Sequence, residues 1–183
     1  IKKALAMGAD EAAILSDESF DGCDGFATAH ILAKAIEKIG EYDLVLCGRQ
    51  ESDWDCGMVG SVLAEYLGIP IVTRAKSVNA AQGKVQVGRV TVSRNELYEV
   101  ETPAMVTLSN EFGQPRIPAG MGIIAAARKK IPVWDASYLG VDASRVGRGA
   151  VRNELQKLYL PSYERVCTMI EGESVAKVAA ALA

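Results

Sequence analysis

The sequence predicts an α/β protein: a doubly wound parallel sheet with an antiparallel hairpin insertion and a C-terminal arm. Short unbroken apolar runs at residues 44–47, 69–73 and 104–108 have the composition of strands buried on both faces of a parallel sheet. Stretches of helical periodicity alternate with them, as parallel connections require. Between Arg74 and Glu101 the period switches to two, the pattern of a hairpin rather than another βαβ unit.

In chain order, residues 1–7 read as a helix, with Gly8 where a terminating glycine belongs. Residues 12–15 then read as a strand. A doubly wound sheet should not begin on the tail of a helix. A strand–helix–strand portion of roughly 60 residues is therefore expected upstream, at about 30 per βαβ step. Asp24 closes a polar loop and caps a helix whose apolar face is Phe26, Ala29, Ala33 and Ile36. His30 shares the opposite face with Lys34 and Glu37 and is expected in solvent. The run at 44–47 is read as the central strand, and Val59, Val62, Leu63, Tyr66 and Leu67 follow at helical spacing up to Gly68.

Next, Val85, Val87, Val90 and Val92 alternate, and Tyr98 and Val100 continue after a turn placed at Asn95-Glu96. Pro103 is tolerable at the first position of the strand that follows. A glycine- and proline-rich loop over 111–122 leads to a short helix at 123–130, whose basic end suits the helix dipole. Gly120, Gly122 and Ala125 match G-x-G-x-x-A, with Asp142 about 20 residues on. No strand runs directly into those glycines, so the dinucleotide fingerprint is rejected. Beyond Pro132 the apolar residues Trp134, Tyr138, Leu139, Val141 and Val146 follow no period and need something to cover them. Residues 173–183 form a last helix. Two regions result: 1–130 as a nucleotide-binding α/β domain and 131–183 as the arm.

The loop after residue 47 is where chemistry is expected. It carries Arg49, Gln50, Glu51, Ser52, Asp53 and Asp55, with Ser52 and Asp55 at capping-box spacing. A strand that feeds a helix N-terminus through glycine is where such sheets hold phosphates. Gly57 and Gly60 keep the first turn bare, and Arg49 can offset phosphate charge. Asp53 and Asp55 repel it unless they accept from ribose or cap the helix. From pattern alone, a plain βα turn and a nucleotide site both stand.

Composition narrows the classes. The 183 residues are 49% hydrophobic and 23% charged, enough for one substantial core. No apolar run has membrane-span length, and no signal peptide opens the chain. Four cysteines without a CxxC pair, beside one histidine, argue against a Cys/His zinc site and for reduced thiols in a cytoplasmic setting. The net charge is −3, yet residues 1–56 carry 5 basic and 12 acidic side chains while residues 128–165 carry 8 and 4. The basic segment lacks interleaved aromatics, which favours a protein partner over nucleic acid.

The segment G-R-Q-E-S-D-W-D-C-G-M-V-G resembles the AMP-binding segment of the electron transfer flavoprotein beta subunit. A-L-A-M-G-A-D at 4–10, P-A-M-V-T-L-S-N-E-F-G-Q-P-R ending at Arg116, A-R-K-K at 127–130 and L-G-V-D at 139–142 fit the same family in order. The resemblance implies an adenine nucleotide alpha hydrolase-like fold, N-terminally incomplete here. It implies an electron carrier rather than an enzyme: a heterodimer with an alpha subunit that holds most of one FAD, fed by acyl-CoA-type dehydrogenases. AMP would be structural in this subunit, on Gly48, Arg49, Gln50, Glu51, Ser52, Asp53, Trp54, Asp55, Cys56, Gly57, Met58 and Val59. The loop and helix at 108–130 would engage the dehydrogenase, with Ile117 and Met121 as anchor beside Gly120, and Arg128, Lys129 and Lys130 steering. The arm would wrap the alpha subunit.

Electron-bifurcating relatives place a second FAD in this subunit and tend to show D-x-D-T-x-Q-V-G. Here D-W-D-C-G-M-V-G agrees at Asp53, Asp55, Val59 and Gly60 but departs at Cys56 and Met58, so AMP and a second FAD both stay open. A stand-alone universal-stress-like nucleotide module is the alternative. It accounts for the loop but not for the arm.

Overall fold

β6 (Ala104–Leu108) is the strand on which the main sheet is assembled. β2 (Leu44–Gly48) pairs with it in parallel on one side and β3 (Ile71–Ala81) on the other. β4 (Lys84–Val90) and β5 (Asn95–Glu101) extend the sheet antiparallel from β3, giving the order β2-β6-β3-β4-β5. Alternation along β6 explains why four of its five residues are apolar. Ala104 and Val106 enter a cluster with Val72, Ala75, Val85 and Val87. Met105 points the other way, into Ala29 and Ala33 of α2 (Gly25–Ile39) and Leu63 and Ala64 of α3 (Val59–Leu67). A strand buried on both faces favours apolar residues, and its one polar member, Thr107, is partnered by the Arg74 N–H.

The computed structural model describes residues 1–164 and 167–182. These fall into two compact units, Ile1–Asn153 and Glu154–Ala183. Within the first, β1 (Ile14–Leu15) and β7 (Val133–Trp134) form a separate parallel pair. α1 (Lys2–Ala6) packs on α4 (Gly120–Arg128). Their approach depends on Gly122, where a Cβ would lie 2.5 Å from the Ala6 carbonyl oxygen. α5 (Ala136–Leu139) starts on an Asp135 cap.

The α/β class, the parallel ladder and the antiparallel insertion are as expected; several details differ. The insertion does not start afresh at Arg74. β3 passes through it as one 11-residue strand, bulged where Arg74 takes a left-handed φ of 61° and donates its N–H to Thr107 Oγ1 at 3.0 Å. The second turn lies at Val92, which is 98% exposed, and not at Asn95-Glu96. Thr91 closes it, its hydroxyl donating to Arg94 O at 2.8 Å. β2 is an edge rather than the central strand: it pairs only with β6 among the described residues, and Leu46 is half exposed.

His30 is buried, not solvated. α2 carries two apolar faces: Ala29 and Ala33 meet the sheet side, while Ile31 and Ala35 pack with Leu139, Val146 and Trp134. Of the scattered apolar residues after Pro132, Trp134, Leu139, Val141 and Val146 are therefore covered by this chain's own helix while Tyr138 stays about half exposed, and the first unit runs on to Asn153. Among the described residues of the second unit the one helix is α6 (Val175–Leu182). Ser174 accepts from the Lys177 N–H at 3.4 Å, and Glu173 pairs with Lys177 at 2.5 Å. No described helix is long and apolar enough to cross a membrane.

Candidate functional site

Residues 49–58 leave the edge strand β2 and return to start α3. The return needs positive φ at two places, Asp55 (56°) and Gly57 (61°). At Gly57 only glycine fits, since a Cβ would sit 3.2 Å from the Arg49 carbonyl oxygen and 3.3 Å from Gln50 Cβ. The loop is thus folded back on its own beginning. Glu51 Oε2 accepts from the Gly57 N–H at 3.2 Å, and Asp55 accepts from the Gln50 side-chain amide. Trp54 and Cys56 lie at the exposed tip.

The expected Ser52–Asp55 capping box does not form. α3 starts at Val59 with Met58 as its N-cap residue and no side-chain cap, because the box residues sit too far upstream. Gly60 serves packing rather than ligand approach. It is buried, and a Cβ there would lie 2.8 Å from Thr107 Cγ2 and 2.9 Å from Cys47 Sγ. The bare approach to the helix is at Gly57 alone.

Charge in this region is mostly negative and mostly held. The Glu51 carboxyl lies below the ordinary range, lowered by its own backbone N–H first and then by that of Gly57. Desolvation, Glu51, Asp55 and Asp53 together raise the Cys56 thiol, and burial raises Cys47, so both stay protonated near neutral pH. Glu111 is held low by the Ser109 side chain and its own backbone, with further help from Arg49 and Arg74. Arg49 thus acts on a carboxylate 62 positions away in the sequence, without an ion pair between them among the described residues.

A second set of contacts ties the loop's end to the chain's later course. Asp24 Oδ1 caps α2 through the Ala27 N–H at 2.9 Å, and Oδ2 accepts from the N–H groups of Arg152 (2.6 Å) and Asn153 (3.1 Å). The Asn153 side chain reaches Met58 Sδ at 3.6 Å, and Met58 lies over Gly25. Arg152 stacks on Phe26 and Arg145 on Tyr66, at 4.9 and 5.3 Å from the ring centroids. Tyr66 also meets buried His30 edge-on. Burial first, then Arg145 and Lys34, push that histidine's pKa down. The cap on α2 was legible in the sequence; the double duty of Asp24 was not.

The two groups of predicted residues lie on different elements. Gly48 ends β2, residues 49–58 form the loop and Val59 opens α3. In α4, Gly122 and Ala126 face inward, leaving Met121 77% exposed, with Ile123 and Ile124 about half exposed. Ile117, just before the helix, is 91% exposed, and nothing lies within 4 Å of a Cβ at Gly120. Arg128 and Lys130 are exposed, whereas the Lys129 ammonium donates to the Asp10 carbonyl.

Residues 1–139 match the family described as electron transfer flavoprotein domain. The chain is 40% identical over 173 residues to electron transfer flavoprotein subunit beta of Thermoanaerobacterium thermosaccharolyticum, covering 94% of this chain and 66% of that protein. It is 35% identical over 182 residues to the caffeyl-CoA reductase-Etf complex subunit CarD of Acetobacterium woodii, covering 100% and 70%. To electron transfer flavoprotein subunit beta of Megasphaera elsdenii it is 33% identical over 167 residues, covering 88% and 62%. The chain thus spans about two thirds of the length of these relatives.

Proposed function

Because the chain belongs to the electron transfer flavoprotein domain family, whose match covers residues 1–139, we propose that it is the beta subunit of a heterodimeric carrier. Electrons from an acyl-CoA-type dehydrogenase pass through an FAD held mainly by the alpha subunit, and AMP fills the loop from Gly48 to Val59. In such a carrier the flavin supplies the redox chemistry, and this chain's residues bind, orient and exclude water. The observation that carries the reading is the left-handed loop ending on a helix without a side-chain cap. It leaves first-turn N–H groups for a phosphate.

The test is a cofactor inventory of the heterodimer. One FAD plus AMP is expected; two FAD would move the chain to the bifurcating type, and a chain that never co-purifies with a partner would favour the stand-alone module. Gly57→Val in the same complex should lower nucleotide occupancy, because a β-branched side chain closes on Arg49 O and cannot hold φ 61°. Full occupancy in that variant would place the nucleotide elsewhere.

Docking to the electron donor is assigned to α4 and the loop before it. Met121 and Ile117 stand exposed beside Arg128 and Lys130, an adaptable apolar anchor with positive charge next to it. Met121→Ala should cut the apparent second-order rate of electron transfer from the cognate dehydrogenase about tenfold, or about 1.4 kcal/mol, with FAD content unchanged. An unaltered rate would put the docking surface elsewhere. The arm's partner-wrapping role is supported by Leu158, Tyr159, Leu160 and Tyr163, all largely exposed within the second unit.

A further inference from the structure

We propose that Glu51 is an internal gate on the loop: its carboxylate holds the Gly57 N–H when no nucleotide is bound and must leave before a phosphate can take that position. The inference rests on the nucleotide reading above and adds a regulator to it. The geometry that points there is specific. The loop reverses through left-handed Asp55 and Gly57, which brings residue 51 back onto residue 57 across the mouth of α3. Glu51 Oε2 then accepts from the Gly57 N–H at 3.2 Å.

No side chain caps α3, and this carboxylate holds the N–H of Gly57, two residues before the helix begins. It is only partly buried, hence free to swing outward, and those N–H groups keep it ionised. One N–H cannot serve a carboxylate and a phosphate together. Two like charges about 4 Å apart also repel by ~1 kcal/mol even in water.

Gating of this kind has a quantitative signature. The apparent dissociation constant rises by the inverse of the fraction of molecules with the gate open. A loop closed about nine-tenths of the time would weaken phosphate-bearing ligands about tenfold and leave the bare nucleoside unaffected.

The experiment titrates the full chain with AMP and, separately, with adenosine, for the wild type, Glu51→Gln and Glu51→Ala. Circular dichroism checks that all three are folded. AMP binding should tighten about tenfold in Glu51→Ala and by a smaller factor in Glu51→Gln. Glutamine keeps an oxygen for the Gly57 N–H but loses the charge. Adenosine binding should not change. Equal AMP affinity in all three would overturn the gate and leave the nucleotide reading standing. Weaker AMP binding in the variants would also overturn it, making Glu51 a ligand contact instead. No AMP binding in any of the three would remove the nucleotide reading and the gate with it.

Discussion

Met105→Ala is expected to lower the stability of the first unit by about 2–5 kcal/mol, the range for emptying a fully buried long side chain. Met105 is 0% exposed and is the second residue of β6, between Val45 of β2 and Ile71 of β3. Among the described residues it is the largest fully buried side chain, and it clusters with Ala29, Ala33, Leu63 and Ala64, where α2 and α3 are seated on the sheet. Those neighbours are mostly alanines. They have no side-chain length with which to collapse into the vacated space, which favours the upper half of the range.

Met105→Leu nearly conserves volume and should cost less than about 1.5 kcal/mol. Urea titrations of both variants decide the matter, with an unchanged slope required for a pure stability effect. A loss below about 1 kcal/mol for the alanine variant would mean that α2 and α3 do not rest on β6 as described.

The elements that could be read from the sequence are those whose local pattern and tertiary role coincide. β6 is apolar at four of its five positions because both its faces are covered. Asp24 and Gly68 mark helix ends by chemistry that acts within a few residues: Asp24 accepts from Ala27, and Gly68 takes left-handed backbone. The errors arose where distant chain decides. His30 has charged neighbours along its own helix, but Val146 and Leu139, over a hundred positions away, close over the adjacent face of α2.

Leu46 sits in a run that reads as doubly buried, yet only one neighbour strand pairs with β2. Within the candidate site, a polar loop between strand and helix was legible, but Gly57 was read as part of a bare first helical turn, whereas it makes the loop's return before the helix begins. The Glu51–Gly57 bond was not, because it depends on the left-handed turn at Asp55, which no propensity requires. The Ser52–Asp55 spacing suggested a cap for a helix that begins several residues later.

Asp24→Ala should cost about 2–3 kcal/mol, since one carboxylate both caps α2 and pins the backbone at Arg152 and Asn153. The cap alone is worth about 0.5–2 kcal/mol. The two further N–H groups lie near solvent and recover part of their loss by binding water. Asp24→Asn keeps an acceptor for Ala27 and should therefore cost about 1 kcal/mol, most of it from the second oxygen's contacts.

The pH dependence separates charge from shape. Burial raises the Asp24 carboxyl, but the N–H groups of Ala27, Arg152, Asn153 and Phe26 together hold it below the ordinary aspartate range. The folded protein therefore binds this proton less readily than the unfolded chain. The stabilisation is fully present above about pH 4, the unfolded value, and is lost as pH falls through the lower folded value. The stability gap between wild type and Asp24→Asn should be constant from pH 5 to 7 and shrink below about pH 4. A gap that holds steady or widens on acidification would show that Asp24 acts by shape alone. A negligible cost for Asp24→Ala would mean that residues 152–153 are held to the first unit by the Arg152–Phe26 and Arg145–Tyr66 stacks instead.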